Sequence, residues 1–165
     1  MNLPLTEADF EQLSWHDCHI WGIALRAGDA DEGDWTSDLV LDIDYILAWS
    51  CPVGGSAQFR VAAASLVFHG VTDLSLRIEW DDLGSPVALH GLSIDRIERE
   101  PIPNARVFLD RPYFRWRVCL NWPKGGEIAF GAVGFTQRLR SNPITTGRQH
   151  LSLQQRNALP VTQGQ

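Results

Sequence analysis

The chain has 165 residues, a length that suits one domain, with 44% apolar and 21% charged residues and a total of seven Trp and seven Phe. Three irregularly spaced cysteines, Cys18, Cys51 and Cys119, exclude a disulfide framework and a Cys-rich zinc site, and no run of about 18 apolar residues is present to span a membrane. The net charge of −6 is uneven: the segment Gln137–Gln165 has four Arg and no acid, which leaves −10 on residues 1–136 and disfavours nucleic-acid phosphate as a partner.

In chain order, Thr6-Glu7-Ala8-Asp9 resembles a capping box and predicts a short helix over Glu7–Leu13. The residues before it have no basic patch and no apolar stretch, so a signal peptide is not expected and the expected location is the cytoplasm. A strand follows at His19–Arg26, then an acidic loop over Gly28–Asp34. The clearest element is Asp38–Trp49, whose odd positions Leu39, Leu41, Ile43, Tyr45, Leu47 and Trp49 are all apolar. Period-two alternation marks a strand with one face on a core, and at roughly 3.3 Å per residue it spans about 40 Å. That length predicts a large curved sheet, or a strand shared between two sheets.

Phe59–Phe68 is apolar on both faces and predicts a central strand. Leu74–Trp80 alternates again, and the Asp81–Pro86 cluster breaks the chain. In Val87–Glu100 the parity changes between Ile94 and Ile97, which predicts a bulge. Phe114–Trp122, a Pro123–Gly126 turn and Glu127–Phe135 form the best hairpin. The sum is a mainly β fold: an antiparallel meander of about seven strands forming a sandwich or open barrel. The division expected is a β domain over 1–136 and a basic segment over 137–165. The polar composition of that segment predicts loose attachment, and its charge predicts a return onto the acidic body.

Four groups of residues can carry chemistry. Trp15-His16-Asp17-Cys18-His19 concentrates metal-ligand types, but its spacing matches no zinc pattern; the alternative is a His-Asp pair capping backbone at a strand entry. Asp42 and Asp44 share one face of the long strand, spaced to grip a cation or to share acid/base work. They can equally line a solvated face and pair with Arg115 and Arg117, should those strands be neighbours. The loop Asp29–Asp34 has its glycine one place early for a calcium loop and Val40 where such a loop needs Glu. His69 and His90 stand alone beside glycines, while Trp21, Trp35, Trp49 and Trp122 can line a groove or fill a core. No Gly-x-Ser-x-Gly elbow and no phosphate-cradling glycine motif is present.

Three stretches carry a resemblance: Leu13-Ser14-Trp15-His16-Asp17, then Ser37–Ile46, then Phe59-Arg60-Val61 running on to Leu66–Val71. The pattern resembles bacterial proteins of unknown function with a Trp-His-Asp start and a Leu-Asp-Ile-Asp-Tyr strand. More faintly, it is similar to small immunity proteins that neutralise polymorphic toxins. The resemblance covers Leu13 to Asp95 and implies a fold and an origin, with no catalytic residue to carry over.

The leading expectation is therefore a non-enzymatic binding module, of immunity type, whose acidic face meets a basic protein partner. His16, Asp17, Asp42, Asp44 and Trp35 are its candidate contact residues. No cofactor, nucleic acid or membrane is expected, and homo-oligomerisation is left open. One alternative is a metal-assisted hydrolase using His16, His19, Asp42, Asp44 and His69. Another is a small-molecule carrier with an aromatic-lined cavity.

Overall fold

A computed structural model describes residues 4–80, 91–103 and 111–157. Its strands are β1 (Leu5–Thr6), β2 (His19–Ala27), β3 (Ser37–Ser50), β4 (Gln58–His69) and β5 (Thr72–Arg77), followed by β6 (Leu92–Pro101), β7 (Phe114–Trp122), β8 (Glu127–Ala132), β9 (Gly134–Leu139) and β10 (Ile144–Thr146). A five-residue helix, α1, covers Leu153–Asn157. All pairings are antiparallel and make one sheet in the order β1-β9-β4-β3-β2-β6-β7-β8-β5, with β10 also on β4. Two meanders, β2-β3-β4 and β6-β7-β8, meet where His19 and Ile20 of β2 pair with Ser93 and Leu92 of β6.

The connections force this sheet to fold over on itself. β4 and β5 lie six strands apart in the sheet, about 29 Å if it were flat, at roughly 4.8 Å per strand. Only Gly70 and Val71 join them, a reach of about 10 Å. The link from β8 to β9 makes the same demand with Val133 alone. The inner face is therefore brought against itself, and large aromatics fill the gap. The Phe68 ring of β4 lies 5.2 Å from Trp116 of β7 and 4.7 Å from Phe130 of β8, and Phe135 of β9 lies 5.9 Å from Trp116.

Two expectations about elements need correction. Among the described residues the sheet has ten strands rather than seven. β1 and β10 are too short to show a period, and the run Glu127–Phe135 is two strands broken at Val133 and sent to different neighbours. The N-terminal helix is a 3₁₀ segment, Glu7–Gln12. The Thr6 N–H does bond the Asp9 carboxylate at 2.9 Å, as a capping box provides. The segment ends at Leu13, which is extended, and the Leu13 N–H closes it with a 3₁₀-type bond to Phe10 O at 3.2 Å.

Bulges decide where several side chains point. The parity change in β6 is a bulge at Asp95, between Ile94 and Arg96. An extra residue at Leu47 in β3 shifts the register after Ile46, so Trp49, which shares parity with buried Leu39 and Leu41, ends 70% exposed. No helix among the described residues is long and apolar enough to cross a membrane. His90 lies outside the described residues, as do Val87–His90 at the start of the strand expected there.

Candidate functional site

The sequence marks the polar face of β3, and the structure covers it with the chain's own C-terminal segment. β9 runs through Thr136, the residue at which a division was expected, and the chain then returns across β3 and β4. Leu151 is buried against Val61 and Ala63 of β4. Its N–H donates to Asp44 Oδ2 at 2.8 Å. One turn on, Arg156 is only 10% exposed, and its guanidinium bridges Asp44 Oδ1 and Asp42 Oδ1, the latter at 2.5 Å. Arg140 pairs with Asp42 from the side.

Asp44 is the centre of this arrangement. It is fully buried, and a buried carboxylate is tolerated only when its lone pairs are filled. Here they accept from Arg156, from the Leu151 N–H and from the Trp21 indole N–H at 2.7 Å. Trp21 reaches it because β2 bulges between Ile20 and Gly22, which re-aims the indole. The Arg156 guanidinium lies 5.0 Å from the Trp21 ring centroid, a cation–π contact added to the ion pairs.

The expectation of a solvated Asp42/Asp44 face is thus corrected at Asp44, as is the expected pairing with Arg115 and Arg117. β7 is three strands away from β3 in the sheet, and Arg117 instead pairs with Glu98 and Glu127 of its own neighbours.

His16 and Asp17 occupy a turn at the entry to β2. The Cys18 N–H closes it onto Trp15 O at 3.0 Å, and Asp17 adopts a left-handed conformation with φ 62°. The Asp17 carboxylate accepts from Asn121 at 2.5 Å and from Gln149 of the returning segment at 2.8 Å, and His16 Nδ1 lies 3.1 Å from it. Asp17 therefore helps to hold the same strap as Asp44, while His16 stays on the exposed side. Cys18 is buried beneath; burial pushes its thiol up to about 12, so it is no nucleophile near neutral pH.

His19 sits between Trp21, 4.8 Å away ring to ring, and His150, at 5.2 Å. Gly91 passes so close that a Cβ there would lie 2.0 Å from the His19 ring, so only glycine permits this seat. Burial first, and the facing His150 second, hold the His19 pKa below its ordinary value; Asp44 opposes them and Arg156 reinforces them. The unfolded chain then binds more protons than the folded one below about pH 6.5, so stability falls as the pH falls through that value. Urea midpoints measured from pH 8 to pH 5 should decline below about 6.5, and a His19→Gln chain should show a shallower decline.

The metal-ligand set does not assemble. His69 is on the far part of β4, with Nδ1 3.2 Å from Asp38 and Nε2 2.8 Å from the Thr136 hydroxyl. This Asp-His-Thr row resembles a hydrolase relay, yet it lies across neighbouring strands β3, β4 and β9 and ties them together. The Asp44 carboxylate already holds three donors. Among the described residues no group of three His, Cys, Asp or Glu can hold a metal ion.

Trp35 stands apart from all of this, at the β2–β3 hairpin. The loop is organised by its own carboxylates: Asp29 caps a 3₁₀ turn over Ala30–Glu32 by accepting from the Asp31 N–H at 3.0 Å, and Asp34 accepts from the Thr36 N–H and hydroxyl at 2.9 and 2.7 Å. Those bonds hold the Asp34 pKa below the usual carboxylate range. Gly33 takes the left-handed position, φ 81°, that closes the turn. Trp35 is 81% exposed next to it. A depression of about 380 Å³ runs along the loop, lined by Ala27, Gly28, Asp29, Ala30 and Asp31. The aromatics do not gather around a common cavity: Trp15 and Trp116 are in the core, Trp21 is on Asp44, and Trp35, Trp49 and Trp122 are exposed.

Sequence reasoning named Trp21 only as a groove or core aromatic, and did not place Arg140, Gln149, His150, Leu151 or Arg156 at the site. The one signal for them was the charge contrast between the acid-free C-terminal segment and the acidic body. No protein-family model, no curated protein and no solved structure matches the chain.

Proposed function

We propose that the protein is a non-enzymatic binding module of immunity type, and that its contact surface for a basic protein partner is the β2–β3 hairpin. The observation that supports this reading is Trp35, 81% exposed beside Asp29, Asp31, Glu32 and Asp34, none of which has a cationic partner among the described residues. The acidic face first considered, Asp42 and Asp44, is neutralised by Arg140 and Arg156, whereas the hairpin is an acidic feature open to a partner. The pairing of residues suits recognition. Carboxylates steer a basic surface into place, and a large aromatic supplies the anchor that dominates interface energy. The internal hydrogen bonds of the loop hold it ready, which lowers the ordering cost of binding.

The test is capture of a partner from the native host, or co-expression with a toxin encoded beside this gene, using the wild-type chain and Trp35→Ala. The reading predicts a basic partner whose binding weakens at least about 30-fold in the variant, while the stability of the free protein changes by less than about 0.5 kcal/mol. A partner retained in full by Trp35→Ala, or no partner and no protection, contradicts it.

A further inference from the structure

Arg156 is held as a ligand is held. In α1 it is the one residue that is not exposed; Leu153 beside it is 63% exposed, so the helix contributes little besides this side chain. The guanidinium enters a receptor made entirely by other elements: the buried Asp44 and half-exposed Asp42 of β3 supply oxygens to two of its nitrogens, and Trp21 of β2 supplies a ring face. A planar fork that bridges two carboxylates and stacks on an aromatic is the recognition geometry of arginine, and the compact ammonium of lysine cannot reproduce it.

We infer that the Asp42–Asp44–Trp21 pocket is an arginine-recognition site, that Arg156 fills it in cis, and that the arginine of a basic protein partner can take its place. This does not rest on the hairpin surface, which precedes the first residue of β3, whereas Asp42 and Asp44 lie at its middle. A tethered residue competes at an effective concentration on the order of millimolar. A lone arginine therefore displaces Arg156 poorly, and a partner that adds contacts along the strap's path displaces it well. The strap acts as a selectivity filter over the site. The contact of Gln149 with Asp17 and that of Leu151 with Asp44 mark the path that such a partner would occupy.

Chemical rescue tests the site directly. In the full-length Arg156→Ala chain, N-ethylguanidinium at about five times its Kd should raise the unfolding midpoint by about 2–4 °C. It should also return the Trp21 indole N–H resonance toward its wild-type position. Ethylammonium should do neither, and the wild-type chain should bind the probe at least about tenfold more weakly, because Arg156 competes. The double variant Asp44→Asn/Arg156→Ala should not respond. Should Arg156→Ala fail to fold, Arg156→Lys keeps a positive charge at the pocket, and the Trp21 resonance should still move with N-ethylguanidinium at higher concentration. An unmoved resonance in the folded variant, an equal response to ethylammonium, or an equal response in the Asp44→Asn background overturns the inference.

Discussion

An Asp44→Ala chain is expected to lose about 3–5 kcal/mol of folding stability, read as a lower urea midpoint with an unchanged slope. The magnitude follows from what the carboxylate leaves behind. Arg156 becomes a nearly buried cation with only the half-exposed Asp42 for company, and the Trp21 indole and Leu151 amide lose their acceptor. Unmet donors in a buried position cost more than the net value of the bonds that were made. Asp42→Ala provides the contrast. Asp42 is 37% exposed and water can replace it for Arg140, so a loss of about 1 kcal/mol or less is expected. Near-equal losses in the two variants would mean that burial does not distinguish the two carboxylates.

Trp116→Ala should be comparably damaging, at about 3–5 kcal/mol in the same assay. Trp116 is fully buried between the folded-over halves of the sheet, in ring contact with Phe10, Phe68, Phe114 and Phe135. Its indole N–H also donates to the Ala132 carbonyl at 3.2 Å, next to the one-residue passage from β8 to β9. Removing it opens a cavity from which water is excluded and orphans a buried carbonyl. Trp116→Phe keeps most of the volume and should recover over half of the loss.

How far the fold can be read from the residues depends on how local each cause is. β3 was legible almost to the residue, Asp38–Trp49 against Ser37–Ser50, because alternation is a property of the strand itself. The exposure of Trp49 was not, since the bulge at Leu47 answers to the register with β4. Gln137 reads as surface, yet it is buried and accepts from the Trp15 indole at 2.7 Å, across 122 positions of sequence. The candidate site divides in the same way. Its carboxylates were visible as the pair Asp42 and Asp44, but what they do is set by Arg156, more than 110 residues later. Net charge alone hinted at that return. Trp35 was named as a groove or core aromatic and as a candidate contact residue, and its exposure is a consequence of the hairpin tip on which it sits.

The polar face of β3 is closed by the chain's own Arg156 through Asp44. A double-mutant cycle with Asp44→Asn and Arg156→Met, each alone and together, measures that link by urea unfolding of the full-length protein. A coupling energy of about 1–3 kcal/mol is predicted, because each single change strands the other partner and the double change strands neither. Additive losses, within about 0.5 kcal/mol, would show that the two side chains do not depend on one another and would contradict the account.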